Sequence, residues 1–310
     1  MPPASLQFGW VPHAQRTEEM NEASDAAIKA MPKFEIKGHQ RYGKKVCLFD
    51  WSKTANEGKH LNCFKQTTGS CVGNGLGMAL WVLAGVQRVK LGDMISMVMP
   101  FWLIPYGKSR ELAGMHGKGD GSMGSTAAQA AEKFGTPPSD MPGMPKTSIV
   151  DGGLNYGGAV ERKYSTPAGI DPVFIKAATN HLCRTVAKVK NADDVRDAIV
   201  NGHSVTIASS WGGQLKGTIT EGVLLNRRVT TWPHQMCVLA WWEHDVLGQI
   251  FWIQNSWGTS MFGTCPSGAP LGGFWVKKAD MDFIARQGDS FAFSSFVGFP
   301  AQDMELDFYI

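Results

Sequence analysis

Two hydrophobic periods divide this chain. In residues 71–85 (CVGNGLGMALWVLAG), Cys71, Leu76, Ala79, Leu80 and Leu83 recur near helical spacing in a run without charge, which predicts a buried helix. Ahead of it, Thr17 is placed to cap a short helix running toward Met31 and stopped by Pro32. Residues 46–51 read as a short apolar strand, 93–102 as a second apolar stretch and 107–124 as a glycine-rich loop. Residues 125–134 predict a helix with Ser125 as N-cap and Gly135 at its C-terminal end. The Pro- and Gly-rich residues 136–172 read as loop, and 191–200 as one more short helix with Asp193 and Asp194 at its positive end. Beyond that the period shortens. Residues 204–209, 235–242, 249–255, 273–277 and 291–299 are short β-branched or aromatic runs separated by turns. The pattern predicts an α+β protein: a polar arm (1–45), a mainly helical part (46–172) and a mainly β part (173–310) folded as an antiparallel sheet or partly closed barrel.

Composition narrows the partners. With 310 residues, 43% of them hydrophobic, the chain can bury a sizeable core. Net charge is +3, and apart from a small basic patch at residues 37–45 no Lys/Arg stripe interleaves with aromatics, so nucleic acid is not an expected partner. No apolar run reaches the roughly 18 residues of a membrane span. The first twenty residues lack the basic start and apolar core of a secretory signal, which points to the cytoplasm, although a virion- or phage-encoded protein would read the same way. The six cysteines (47, 63, 71, 183, 237 and 265) are too sparse for a disulfide scaffold, and no CxxC pair suggests zinc; neither metal nor cofactor is expected. Oligomeric state is not legible.

The chemistry gathers around Gln66-Thr67-Thr68-Gly69-Ser70-Cys71. A thiol in the first turn of a helix meets unpaired N–H groups and the positive end of the dipole, which favour the reactive thiolate. Gln66 lies close enough in sequence to bring an amide donor to the sulfur. Downstream, His234 opens the strand QMCVLAWW and Asn255 closes the next one. Adjacent antiparallel strands would set the two side by side, the Asn amide oxygen fixing the ring tautomer so that the imidazole can take and return a proton. Gly121 and Gly124 are candidates for a flexible wall at a cleft entrance. His244, in a polar turn, is a competing base, read here as solvated.

These residues, in this order, resemble the papain family of cysteine peptidases: Gln66…Gly69-Ser70-Cys71, then His234, then Asn255-Ser256-Trp257-Gly258. Supporting echoes are Phe49-Asp50-Trp51, Gly124-Ser125 with Ala131-Glu132-Lys133-Phe134-Gly135, and Gly272-Gly273-Phe274-Trp275-Val276, so that the likeness spans about residues 45–300. The resemblance implies a two-lobed fold with an extended peptide or protein substrate in the cleft. It implies Cys71 as nucleophile, His234 as base and acid, Asn255 as orienter, Trp257 as shield, and Gln66 with the Cys71 N–H as oxyanion donors. Two other functions stay open: a catalytically silent binding or assembly protein on the same scaffold, and acyl transfer to an amine rather than to water.

Overall fold

The computed structural model describes residues 8–36, 43–90, 92, 97–115, 117–266 and 268–296. In chain order the elements are α1 (Glu18–Ala30), β1 (Lys45–Cys47), α2 (Leu48–Ala55), α3 (Cys71–Lys90), α4 (Leu103–Leu112), α5 (Gly124–Lys133), β2 (Ser148–Val150), β3 (Gly153–Asn155), α6 (Gly158–Tyr164) and α7 (Pro172–Ala178). There follow β4 (Cys183–Lys188), α8 (Ala192–Val200), β5 (Val205–Gly212), β6 (Thr218–Thr220), β7 (Val223–Leu225), β8 (Thr230–His244), β9 (Gly248–Gln254), β10 (Gly273–Lys277), α9 (Lys278–Ala285) and β11 (Phe291–Phe296). Helices α2–α6 thus precede most of the strands, as the change of period predicts.

The main sheet runs β4-β11-β5-β8-β9-β10-β7-β6, with β1 also paired to β8. Among the described residues it is open: β4 and β6 stand at opposite ends and do not pair, so of the two forms expected from the strand spacing, sheet or partly closed barrel, a sheet is found and no closed barrel. Irregularities in the ladder at Ser209/Trp211 and at Val238/Ala240 bend the sheet around β8. One hydrophobic cluster joins α3 to the sheet, from Leu48 and Leu76 through Val238 and Trp252 to Phe291. Helix α3 is buried from Cys71 to Gln87, which explains its lack of a polar stripe. Its Gly73 and Gly77 lie against the Trp102 side chain, where a methyl group would approach to 2.6 and 2.7 Å. Among the described residues no helix is long and apolar enough to cross a membrane.

Several local expectations give way. Residues 46–51 form only the end of β1 before α2 begins. Leu48, Phe49 and Ser52 share a buried helical face, and a short apolar run does not by itself distinguish strand from helix. The glycine-rich segment starts as helix α4, and only its remainder is loop. That loop is tied down by the buried Arg110 guanidinium, which donates to the carbonyls of Met115, Lys118, Gly119 and Gly121. Residues 136–172 contain the β2–β3 hairpin and α6 rather than loop alone. Ser125 lies inside α5 instead of capping it; the cap is the distant Asp289 carboxylate, which accepts from the Gly124 and Ser125 N–H groups. At the other end of the chain, Thr17 caps α1 as predicted, its Oγ1 accepting from Met20 N. Residues 37–42 of the basic patch, 93–96 of the second apolar stretch and 297–299 of the last predicted strand lie outside the described residues.

Burial of the thiols has a thermodynamic consequence. Loss of hydration pushes Cys47, Cys63, Cys71 and Cys183 up to about 12, and Cys237 well above its ordinary value. A group whose folded pKa is raised keeps its stabilising effect below the unfolded pKa and loses it as pH rises toward the folded one. For thiols that window opens near pH 8.5–9. Denaturant unfolding under reducing conditions should therefore show stability falling from pH 8.5 to 10.5, by up to about 1.4 kcal/mol per pH unit for each of these thiols. A flat profile over that range would contradict the burial.

Candidate active site

Cys71 is the first residue of α3 and is completely buried. The loop ahead of it is held by groups remote in sequence. The buried Glu161 of α6 accepts from Thr67 N, Thr68 N, Thr68 Oγ1 and Ser70 Oγ, at 2.5 to 3.3 Å. Tyr106 Oη donates to Gly69 O and accepts from Gly121 N, and Asp120 accepts from Gly69 N. Replacing Glu161 by alanine leaves these donors buried and unpartnered. At roughly 1–3 kcal/mol for each group that water cannot reach, unfolding measurements should show a loss of about 3 kcal/mol or more.

His234 sits in β8 opposite Ser209, next to the ladder irregularity, and β9 ends just before Asn255. The ring Nε2 lies 2.8 Å from Asn255 Oδ1, which also accepts from Ser256 N at 2.6 Å. That second bond identifies the amide atom as oxygen. Because it can only accept, the proton resides on Nε2, and Nδ1 is left as the basic nitrogen. His234 Nδ1 is buried and has no hydrogen-bond partner among the described residues. Trp257 stacks on the imidazole with centroids 4.7 Å apart and planes 28° apart, and Trp232 packs edge-on against Trp257 at 4.9 Å. The backbone N–H of Gln235, the residue after His234, points to Cys71 Sγ at 3.4 Å. The nucleophile candidate and the His–Asn pair are therefore neighbours, although 163 residues separate Cys71 from His234 along the chain.

Gln66 is buried beside this group. Its N–H pairs with Ser256 O, its Oε1 accepts from Ser256 Oγ, and its Nε2 donates to Thr68 O at 3.0 Å. The side chain thus ties the cysteine loop to the Asn255 segment, and one of its amide hydrogens is spent within the loop. His244 closes the β8–β9 turn, its Nδ1 accepting from Val246 and Leu247 N–H.

The site over the sulfur is covered by residues 8–10 of the N-terminal arm, whose role the sequence leaves open, with residues 11–16 continuing toward Asp289. Trp10 N donates to Pro233 O, Ser122 N to Gly9 O, and Val11 N to Ser122 O, so the segment bridges the two sides of the site. Phe8 sits edge-on to His234 and Trp257, with centroids at 6.1 and 5.7 Å. Gly9 is wedged in place: a Cβ there would lie 1.6 Å from Gly69 O, and one on Gly121 would lie 2.6 Å from Gly9 O. Gly121, at φ +111°, accordingly lines the covered cleft, whereas Gly124 faces Asp289. Helix α1 anchors the segment through Ser24 Oγ to Ser125 Oγ at 2.7 Å and through Met20 against Met115 and Met123.

The cover changes the electrostatics that the helix terminus alone suggests. Burial pushes the Cys71 thiol up to about 12, only partly offset by the N–H groups of Gln235, Gly9, Trp10 and Val72 that face the sulfur. Burial also brings His234 down to about 4, against the supporting bond from Asn255. Both groups are neutral at pH 7 in this state. Desolvation outweighs these N–H groups, so burial favours the thiol over the thiolate that the helix terminus alone suggests.

No protein-family model matches the chain, and no curated protein does. Solved structures do. Xylellain, a cysteine protease from Xylella fastidiosa, superposes with a TM-score of 0.53 at 17% identity, over 93% of this chain and 91% of its own. ProCathepsin B from Trypanosoma congolense gives 0.56 at 10% identity, covering 94% and 86%. The Amb a 11 cysteine protease of ragweed pollen, in its proform, gives 0.51 at 14%, covering 87% and 71%. At these identities the likeness speaks for architecture alone, and that architecture is plain: the chain has the α+β fold of the papain-like cysteine proteases.

Proposed function

We propose that this protein is a cysteine peptidase, held in the described state with its nucleophile covered. The observation that carries the reading is the His234–Asn255 bond at 2.8 Å, sealed by Trp257, with the next backbone N–H on the Cys71 sulfur. With the cleft cleared, His234 Nδ1 takes the Cys71 proton and the sulfur adds to a peptide carbonyl. The tetrahedral oxyanion is met by the Cys71 N–H and by Gln66, once its amide turns from Thr68 O. His234 returns the proton to the leaving nitrogen as the C–N bond breaks, leaving a thioester on Cys71. Water, activated by the same imidazole, then hydrolyses the thioester. The peptide or protein substrate lies extended between a helical lobe, residues 46–172, and a β lobe, residues 173–310. The covered thiol fits a latent form, and two of the similar structures are themselves proforms by name.

The alternative, a catalytically silent binding protein on the same fold, draws on the covered sulfur and on the engagement of Gln66 with Thr68. A peptide-library cleavage screen, on the chain before and after the cleft is opened, separates the two. Products whose new C-terminus is a free acid support hydrolysis. Products carrying an added amine would indicate transfer, and no products with a reactive Cys71 would leave the binding reading.

A further inference from the structure

Asp289 has a second face. Its carboxylate caps α5, Oδ1 accepting from Ser125 N at 2.7 Å and Oδ2 from Gly124 N at 2.8 Å. Oδ2 also accepts from the Trp10 indole Nε1 at 2.7 Å and from Arg16 Nη2 at 2.6 Å. The Arg16 and Asp289 side chains are 0% and 1% exposed. Two of the four donors therefore belong to the covering segment, and one of those carries the cation that pairs with the carboxylate. The backbone of Trp10 donates to Pro233 O, next to His234, and Gly9 before it packs on Gly69, two residues from Cys71, while the Trp10 indole reaches Asp289. The Trp10 side chain thus runs from the covered site to the carboxylate.

We infer that Asp289 determines substrate specificity, selecting peptides with an arginine or lysine side chain that enters the space now filled by Trp10. This rests on the peptidase reading above. Once residues 8–16 leave, the carboxylate keeps its two helix N–H donors and loses its indole and guanidinium partners. An incoming cationic side chain restores a charge-assisted bond, which a neutral chain of equal length does not. Arg16 itself demonstrates that a guanidinium is accommodated beside the positive end of α5.

The test uses the full chain carrying Gly9→Ala, to clear the cleft, together with Cys71→Ala, so that binding is read apart from chemistry. Fluorescent peptides bear arginine, lysine, citrulline, norleucine or tryptophan at one position, moved stepwise along the peptide. At one register the arginine and lysine peptides should bind about tenfold or more tightly than those with citrulline or norleucine. Asp289→Asn should bring that ratio to about one. Trp10→Ala/Arg16→Ala gives a second route to an open cleft. If the Asp289 variant fails to fold, the peptide series decides alone. Equal binding across the series, a preference for tryptophan, no binding of any peptide, or a ratio that survives Asp289→Asn each overturns the assignment. Cleavage by the Gly9→Ala chain with Cys71 intact is scored separately. Selective binding without cleavage would count against the peptidase reading and spare the pocket; cleavage without cationic preference would do the reverse.

Discussion

Gly9→Ala is expected to raise the rate at which iodoacetamide alkylates Cys71 at pH 7.5 by about a hundredfold or more. The methyl group has nowhere to go: its carbon would lie 1.6 Å from Gly69 O, on the loop that Glu161 and Tyr106 hold rigid. Gly9 does not occupy the left-handed region, so alanine brings no backbone strain of its own and the effect is this clash alone. With the segment displaced, water returns to the sulfur and the burial that holds the thiol up at about 12 is relieved. A fall toward the ordinary value near 8.5 raises the thiolate fraction at pH 7.5 by roughly three orders of magnitude, so a hundredfold gain in rate is a conservative expectation. The pH profile should move with it: the parent should react appreciably only in alkali, the variant from near neutrality. Helix α1 keeps its own contacts on α5, but the displaced segment gives up the buried Trp10 and Arg16 bonds to Asp289, so the thermal transition should fall. Unchanged alkylation in a folded Gly9→Ala chain would mean that residues 8–16 do not control access to Cys71.

In the opened chain, Cys71→Ala and His234→Ala are each expected to lower kcat for peptide cleavage by about ten-thousandfold or more, because groups that act as one unit fail together. The two variants differ in a way that exposes their roles. Cys71→Ala removes the site of alkylation altogether. His234→Ala leaves the thiol in place but without the base at Nδ1, so alkylation should persist with an ordinary thiol pH dependence. Asn255→Ala should fall between parent and His234→Ala, since it frees the ring to take the other tautomer without deleting it. Cleavage that survives Cys71→Ala would end the acyl-enzyme mechanism. Alkylation indifferent to His234→Ala at every pH would separate the imidazole from the thiol.

What each level of description contributes can be read from particular residues. The α3 helix, the strands β5, β8, β9, β10 and β11 and the order Cys71, His234, Asn255 are legible in the chain because each rests on local periodicity or on a short motif, whereas β4, β6 and β7 are not. The α2 helix was not: a six-residue apolar run fits either a strand or a buried helix, and the pairing of β1 with β8 ends at Cys47, where α2 begins. The open edge of the sheet was equally hidden, because closure depends on whether β4 meets β6, a matter of accumulated twist and bulges rather than of composition. So were Glu161 and Asp289, whose partners lie 91 to 94 and 164 or more positions away. A lone acidic residue in a sequence carries no sign of the N–H groups it will meet.

By itself, then, the sequence determines which side chains are available for acyl transfer and the local elements that carry most of them, through spacing and helix or strand preference. Only the tertiary structure decides their state. Whether Cys71 is thiolate or thiol depends on access to water, and access is set by a segment some sixty positions earlier in the chain, around Gly9. Helix dipoles and neighbouring residues act over a few ångströms and are written locally; desolvation is a property of everything packed around an atom, and exists only once the chain has folded.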